Sequence, residues 1–204
     1  VAARTAQPDE VLRNLHDVTR AELGDSFKMQ ISPDQGALMT LLTGLTQAEF
    51  DVEVGTFTGY SSVCIVRGLR PDGRLLCCDV SEEYTGYARQ AWADAGIADR
   101  VELRIAPALE TLRSLPADEH IDVAFVDADK EPYPDYWDEL VPRMRRGGLL
   151  MIDNTLRGGR VADASIDDAH TNGMRAFNDK VAGDERVTSY LLPISDGLTL
   201  ARKL

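Results

Sequence analysis

From residue 50 onward, short apolar runs alternate with longer segments of helical periodicity. No other feature of the chain restricts its fold as much. A chain with this rhythm builds βα units, whose helices cover both faces of a mostly parallel sheet. The strand candidates are "FDVEV" (50–54), "RLLCCD" (74–79), "VELRI" (101–105), "IDVAFVD" (121–127), "GLLMID" (148–153), "VTSYLLPI" (187–194) and "GLTLARK" (197–203). Helical spacing recurs between them at about 60–69, 82–95, 107–115, 134–145 and 170–182. The last two strands have no helix between them, only a turn at "SDG", so they read as a hairpin. The pattern predicts an α/β fold: a doubly wound, mostly parallel seven-stranded sheet with an antiparallel edge hairpin.

Two helices precede the sheet. Residues 8–24 carry Val11, Leu12, Leu15, Val18 and Leu23 at helical spacing. The stretch "SPDQGALMTLL" then opens a second helix, with Ser32 as N-cap, Pro33 at the first helical position and Gln35 completing a capping-box pattern. There is no repeat, low-complexity segment or domain boundary. Residues 1–204 are therefore read as one domain, with 1–45 a helical cover and 46–204 the α/β core. The chain opens at Val1 instead of Met, which is read as a short leader either trimmed away or left out of the sequence.

Charge narrows the choice of partner. A formal net charge of -12 lacks the basic footprint of nucleic-acid binding and opposes adsorption to anionic membranes, which leaves a small molecule as the expected ligand. No apolar stretch approaches the roughly 20 residues that span a bilayer. Cys64, Cys77 and Cys78 are odd in number and two are adjacent, so a disulfide framework is not expected and a reducing cytoplasm is.

Ligands of open parallel sheets bind beyond the carboxyl ends of the strands, so those ends are read together. The first is "EVGTFTGYSS": Glu53 closes the strand, Gly55 and Gly59 free the turn, and Tyr60 to Ser62 open a helix. A dinucleotide loop would show G-x-G-x-x-G. Here Thr56 stands beside Gly55, which argues for a nucleoside without a pyrophosphate. The second strand ends in Asp79, placed as an acceptor for ribose hydroxyls. The fourth runs into "FVDADKEPY", delivering Asp127, Asp129 and Lys130 almost side by side, and the fifth ends in "MIDNT" with Asp153 and Asn154. Charges are costly to bury unless paired or bound to a metal, so these groups imply either a solvated strand end or a cation. Asp127, Asp153 and Asn154 form a hard oxygen set suited to Mg²⁺ or a similar ion. His16, His120 and His170 are scattered and read as surface residues. Trp92 and Trp137 read as packing residues.

These motifs, in this order, resemble the cation-dependent O-methyltransferases that use S-adenosylmethionine: catechol O-methyltransferase, the caffeoyl-CoA O-methyltransferases and their small bacterial relatives. The likeness runs from "MQISPDQG" (29–36) through "EVGTFTGYSS", "FVDADKEPY" and "DNTLRGGRV" to "LPISDGLTLARK" (192–203). It implies a Rossmann-like methyltransferase fold and a homodimer. It also implies donor contacts from Met29, Glu53, Gly55, Ser61, Asp79, Ala108, Asp127 and Asp129, with Ala108 near the adenine. Asp127, Asp153 and Asn154 would hold a divalent cation, Mg²⁺ or else Mn²⁺ or Ca²⁺, and Lys130 would be the catalytic residue beside a small catechol-like aromatic. Whether Lys130 removes the proton or only steadies the phenolate stays open, because an ammonium at its reference pKa of about 10.4 is a poor base at neutral pH.

The chain departs from the plant pattern at Arg157, where an aromatic residue is usual, and at Pro132 and Ala106. Arg157 and Arg160 offer themselves to an acidic group of the substrate. Two other readings remain: a nucleotide-dependent oxidoreductase on a similar sheet, and a non-catalytic donor-binding interaction protein.

Overall fold

All seven strand candidates fold as strands. The computed structural model describes residues 4–204, so the expectation about the chain's start at Val1 lies outside the described residues. The strands are β1 (Phe50–Val54), β2 (Arg74–Asp79), β3 (Val101–Ile105), β4 (Ile121–Val126), β5 (Met144–Ile152), β6 (Val187–Leu192) and β7 (Leu198–Lys203). They form one mixed sheet in the order β3-β2-β1-β4-β5-β7-β6. Its pairs β1–β2, β2–β3 and β4–β5 are parallel, whereas β7 runs antiparallel to both β5 and β6. The helices are α1 (Glu10–Leu23), α2 (Pro33–Thr46), α3 (Tyr60–Gly68), α4 (Glu82–Asp94), α5 (Ala108–Ser114), α6 (Tyr133–Leu140) and α7 (Ala169–Ala182). Contacts divide the chain into two compact units, one ending at Ala108 and one beginning at Leu109.

In the first unit the N-terminal helices pack on α3. Ser32 caps α2 by accepting from the Gln35 amide, as its sequence predicts. The α2–α3 approach is close because Gly68 has no side chain: a Cβ there would lie 2.6 Å from the Thr40 carbonyl. On α1 the expected stripe is only partly right. Leu12, Leu15 and Thr19 are buried, while Val18 is exposed. The helix turns a hydroxyl inward there because that hydroxyl has partners, described below.

In the second unit β4 is buried at every position, which is why it reads as an unbroken apolar run. The expected helix at 134–145 stops at Leu140. A single 3-10 turn, Val141–Arg143, follows it, and the strand then starts four residues before "GLLMID". Pro142 lacks the N–H that a continuing α-helix needs. The early part of β5 escapes notice because it is irregular: pairing with β4 jumps from Ile121–Met144 to Val123–Leu149. Gly148 permits this bulge, since a Cβ there would sit 2.9 Å from the carbonyls of both Arg145 and Asp122. The "SDG" hairpin forms, with Ser195 and Gly197 at positive φ and the Gly197 amide closing on Ile194 O at 2.8 Å.

Candidate active site

In the first unit the sheet continues one residue past β1, where the Gly55 amide donates to Cys78 O at 2.9 Å. Gly55 (φ +90°), Phe57 (φ +51°) and Gly59 (φ +85°) then wind the loop left-handed. Gly59 also brings the start of α3 against α4, because a Cβ there would meet that of Ala88 at 2.7 Å.

Asp79 holds this loop. Its Oδ2 accepts from the amides of both Thr56 and Phe57 at 2.9 Å, and its Oδ1 accepts from the Ser81 amide at 2.8 Å. Two lone-pair positions on each oxygen leave Oδ1 with room for one more donor, such as a ribose hydroxyl. The sequence reading placed Asp79 at this strand end and missed the amides it holds.

Glu53 is fully buried. Register sets Cys77 of β2 beside it, and the Cys77 thiol donates to Glu53 Oε2 at 3.3 Å. Oε1 has no hydrogen-bond partner among the described residues. Burial pushes the Glu53 carboxyl up to about 7. The Ser61 and Thr56 hydroxyls and the Cys77 thiol draw it back down, and Asp79 adds a small upward push. Cys77, buried against that carboxylate, is itself held well above the usual thiol range and so remains a donor. Ser61 lies buried in the first turn of α3. Ala108 opens α5 just past β3, where the Ala106 amide donates to Asp79 O at 3.0 Å.

Met29 is 49% exposed at the end of a 3-10 helix, Gly24–Met29. Its neighbour Gln30 ties this segment to the loop, since Gln30 Nε2 donates to the hydroxyls of Thr19 and Thr58 at 3.1 Å each. His16 Nδ1 lies 3.1 Å from Gln30 Oε1, and the His16 ring packs edge-on against Phe27. His16 is therefore part of this support and not the surface residue expected. Thr19 and Thr58 are both fully buried. A polar residue inside an otherwise apolar stripe was the signal that could have exposed the network.

In the second unit, Asp127 and Asp153 each lie one residue past their strands. Lys130 Nζ donates to Asp127 Oδ1 at 2.8 Å and to the Tyr133 hydroxyl at 2.9 Å. That hydroxyl donates to the backbone carbonyl of Asp153 at 3.2 Å. Tyr133 is the residue the sequence reading missed, although it closes the quoted "FVDADKEPY". Burial holds its phenol well above the usual range, and the charges of Asp127 and Asp153 push it the same way. Both carboxylates therefore lie near this one ring. Asp153 is 2% exposed, so of the two alternatives the solvated strand end does not apply to it, and its Oδ1 accepts from the Asn154 amide at 2.7 Å. Asn154 itself is left-handed, with φ +58°. Asp129 is exposed. Among the described residues no cluster of three or more His, Cys, Asp or Glu could hold a metal; the predicted set has two carboxylates and a carboxamide.

The loop after Asn154 is pinned by the β6–β7 turn and by α7. Thr155 N and Leu156 N donate to the carbonyls of Gly197 and Asp196 at 3.0 and 2.9 Å, and Asn178 donates to Thr155 O at 2.9 Å. Arg160, offered above as a substrate contact, is spent on Asp168 (2.7 Å) and reaches Thr171 at 3.4 Å. Arg157 has no such acid among the described residues. Trp92 and Trp137 are buried packing residues, as expected.

The mostly parallel seven-stranded sheet with an antiparallel edge pair is that of the Rossmann-like methyltransferases. The family model described as O-methyltransferase matches residues 2–204, and the chain belongs to that family. It is 41% identical to "Tricin synthase 2" of Oryza sativa subsp. japonica over 206 residues, covering 96% of this chain and 70% of that protein. The O-methyltransferase TomG of Streptomyces achromogenes, solved in complex with SAM, superposes with a TM-score of 0.88 at 33% identity, over 99% of this chain and 93% of TomG. An O-methyltransferase from Bacillus cereus in complex with SAH gives 0.89 at 29% identity, over 100% and 95%.

Proposed function

We propose that this O-methyltransferase moves a methyl group from S-adenosylmethionine to one hydroxyl of a small catechol-like aromatic, with a divalent cation, Mg²⁺ by preference. The observation that carries the reading is the charge of the first unit's loop. A pyrophosphate needs free loop amides. Here Asp79 occupies the amides of Thr56 and Phe57, and a buried Glu53 carboxylate keeps one oxygen unpaired. Such a loop repels phosphate and suits a cationic nucleoside, whose ammonium Glu53 would accept. That disfavours the oxidoreductase alternative. The SAM and SAH bound to TomG and to the B. cereus enzyme support the same donor. Glu53, Gly55, Ser61 and Asp79 would hold it, with Met29, Ala108, Asp127 and Asp129 completing its contacts.

Asp127, Asp153 and Asn154 fit a hard dication by the chemistry of their oxygens. Bound there, the ion would make the acceptor's hydroxyls more acidic. Lys130 has three N–H donors and spends two on Asp127 and Tyr133. The third remains for the acceptor's oxygen, where Lys130 would steady a phenolate. The transfer is an in-line displacement, and the protein's task is alignment. A donor-binding protein without catalysis has no use for the Lys130–Tyr133–Asp153 link.

The same reading takes residues 1–204 as one functional domain. It also takes the protein as a homodimer of a reducing cytoplasm. Three free, buried cysteines support the compartment. Leu41 and Leu45, exposed on a helix with almost no charge, support self-association. No helix among the described residues is long and apolar enough to cross a membrane. A methyl-transfer assay over a panel of catechols, with and without chelator, tests the function. Turnover that survives full chelation would remove the cation from the reading, and no turnover of any catechol would remove the acceptor.

A further inference from the structure

We infer that Arg157 recognises a carboxylate on the acceptor, so that the preferred substrates are catechols bearing an acid group. The inference rests on the catechol reading above and adds the acceptor's charge. Arg157 follows Asn154 by three residues, and its amide donates to Asn154 O at 3.3 Å, which keeps it within one turn of the proposed cation ligands. Its backbone is left-handed at φ +49°, a conformation that costs energy for an arginine. The loop imposes that conformation from both sides: Leu156 N donates to Asp196 O, and Gly158 N donates to the Asp196 side chain.

The side chain held there is unsatisfied. Arg157 Nε is buried without a hydrogen-bond partner, and the side chain makes no ion pair or hydrogen bond with any described residue. Its neighbours are different. Arg160 is neutralised by Asp168, and Arg175 is consumed by the carbonyls of Arg160, Val161, Asp163 and Ile166. In a chain of net charge -12, a guanidinium without an acid beside the candidate site is an exception. Buried donors are normally satisfied, and a guanidinium's planar fork matches the two oxygens of a carboxylate, the usual acid group of a small catechol.

The test compares 3,4-dihydroxybenzoate with its methyl ester as acceptors for the wild type, Arg157→Lys and Arg157→Asn. Asn tolerates the left-handed backbone, so loss of the loop's shape is not confounded with loss of charge. The wild type should favour the acid by about 10- to 100-fold in kcat/KM, the worth of one charge-assisted pair. Arg157→Asn should bring the acid-to-ester ratio close to one through the acid's KM, and Arg157→Lys should retain part of it. Equal use of acid and ester by the wild type, or a ratio unmoved by Arg157→Asn, overturns the inference. So does a preference for a coenzyme A thioester over the free acid. If neither catechol is methylated, the acceptor reading fails, and calorimetric titration of 3,4-dihydroxybenzoate into wild type and Arg157→Asn still decides the role of Arg157. Weaker binding to the variant supports it, and equal or absent binding to both overturns it.

Discussion

Glu53 and Asp127 are both acidic residues delivered by buried parallel strands, yet the protein treats them differently. Asp127 has a cation of its own, Lys130 Nζ at 2.8 Å, and that ammonium is held in turn by a tyrosine. Glu53 has no cation beside it among the described residues. It is buried beside a thiol with one oxygen unpaired, and its carboxyl is pushed up to about 7. The second unit thus carries a charged arrangement that is neutralised before any ligand arrives. The first carries a carboxyl whose charge is unfavourable until a ligand supplies the opposite one. Asp127 would meet both donor and cation, so acceptor chemistry is perturbed alone at Asp153 and Tyr133, and donor affinity at Glu53.

The largest effect is expected from Asp153→Ala, which should lower kcat by about 10³-fold or more. Calorimetric affinity for S-adenosylhomocysteine should stay within a few-fold. Loss of donor binding in this variant would break the comparison, because it would make Asp153 part of both functions. Tyr133→Phe comes next. It removes the oxygen that links Lys130 to the Asp153 carbonyl, and kcat should fall about 10- to 100-fold, the worth of a hydrogen bond to a charged group. Donor KM should not move, and full activity would show that Lys130 needs no support beyond Asp127.

Glu53→Gln sharpens the contrast from the other side. The folded carboxyl titrates near 7, above its ordinary 4.5. Between those values the unfolded chain is ionised while the folded one still holds its proton. The stability that Glu53 contributes is therefore complete below pH 4.5 and is lost as pH rises through 7. The ligand-free Glu53→Gln protein should gain roughly 1 to 3 kcal/mol over wild type at pH 8 and much less at pH 5. It should also bind the donor about tenfold more weakly. Thermal melts at the two pH values check the first part. A variant destabilised equally at both would mean that Glu53 is an ordinary buried carboxylate.

The smallest effect concerns Cys77. Cys77→Ala should raise donor KM about two- to fivefold with kcat unchanged, and Cys77→Ser, which keeps a donor, should restore it. Equal behaviour of the two variants would leave the thiol as mere packing.

Much of this architecture is legible without coordinates. The strands register as apolar runs because buried parallel strands are apolar on both faces, and β1, β2 and β3 match their predicted bounds residue for residue. The charged residues that end β1, β2, β4 and β5 also stand out, since charge is improbable at the end of a buried run unless it is used. The start of β5 does not show, because a bulge at Gly148 breaks the alternation on which such reading depends.

What the residues by themselves determine is this order of elements and the set of acidic groups at the strand ends. Only the tertiary structure decides how each group is spent. Asp79 sits 23 residues from the Thr56 amide it accepts, Cys77 sits 24 from Glu53, and Tyr133 sits 20 from the Asp153 carbonyl. Likewise Arg157 and Arg160 look alike in the chain, and one is neutralised while the other is not. Local periodicity reports which face a side chain takes. The partner on that face comes from strand register and loop docking, which bring together residues that no spacing rule connects.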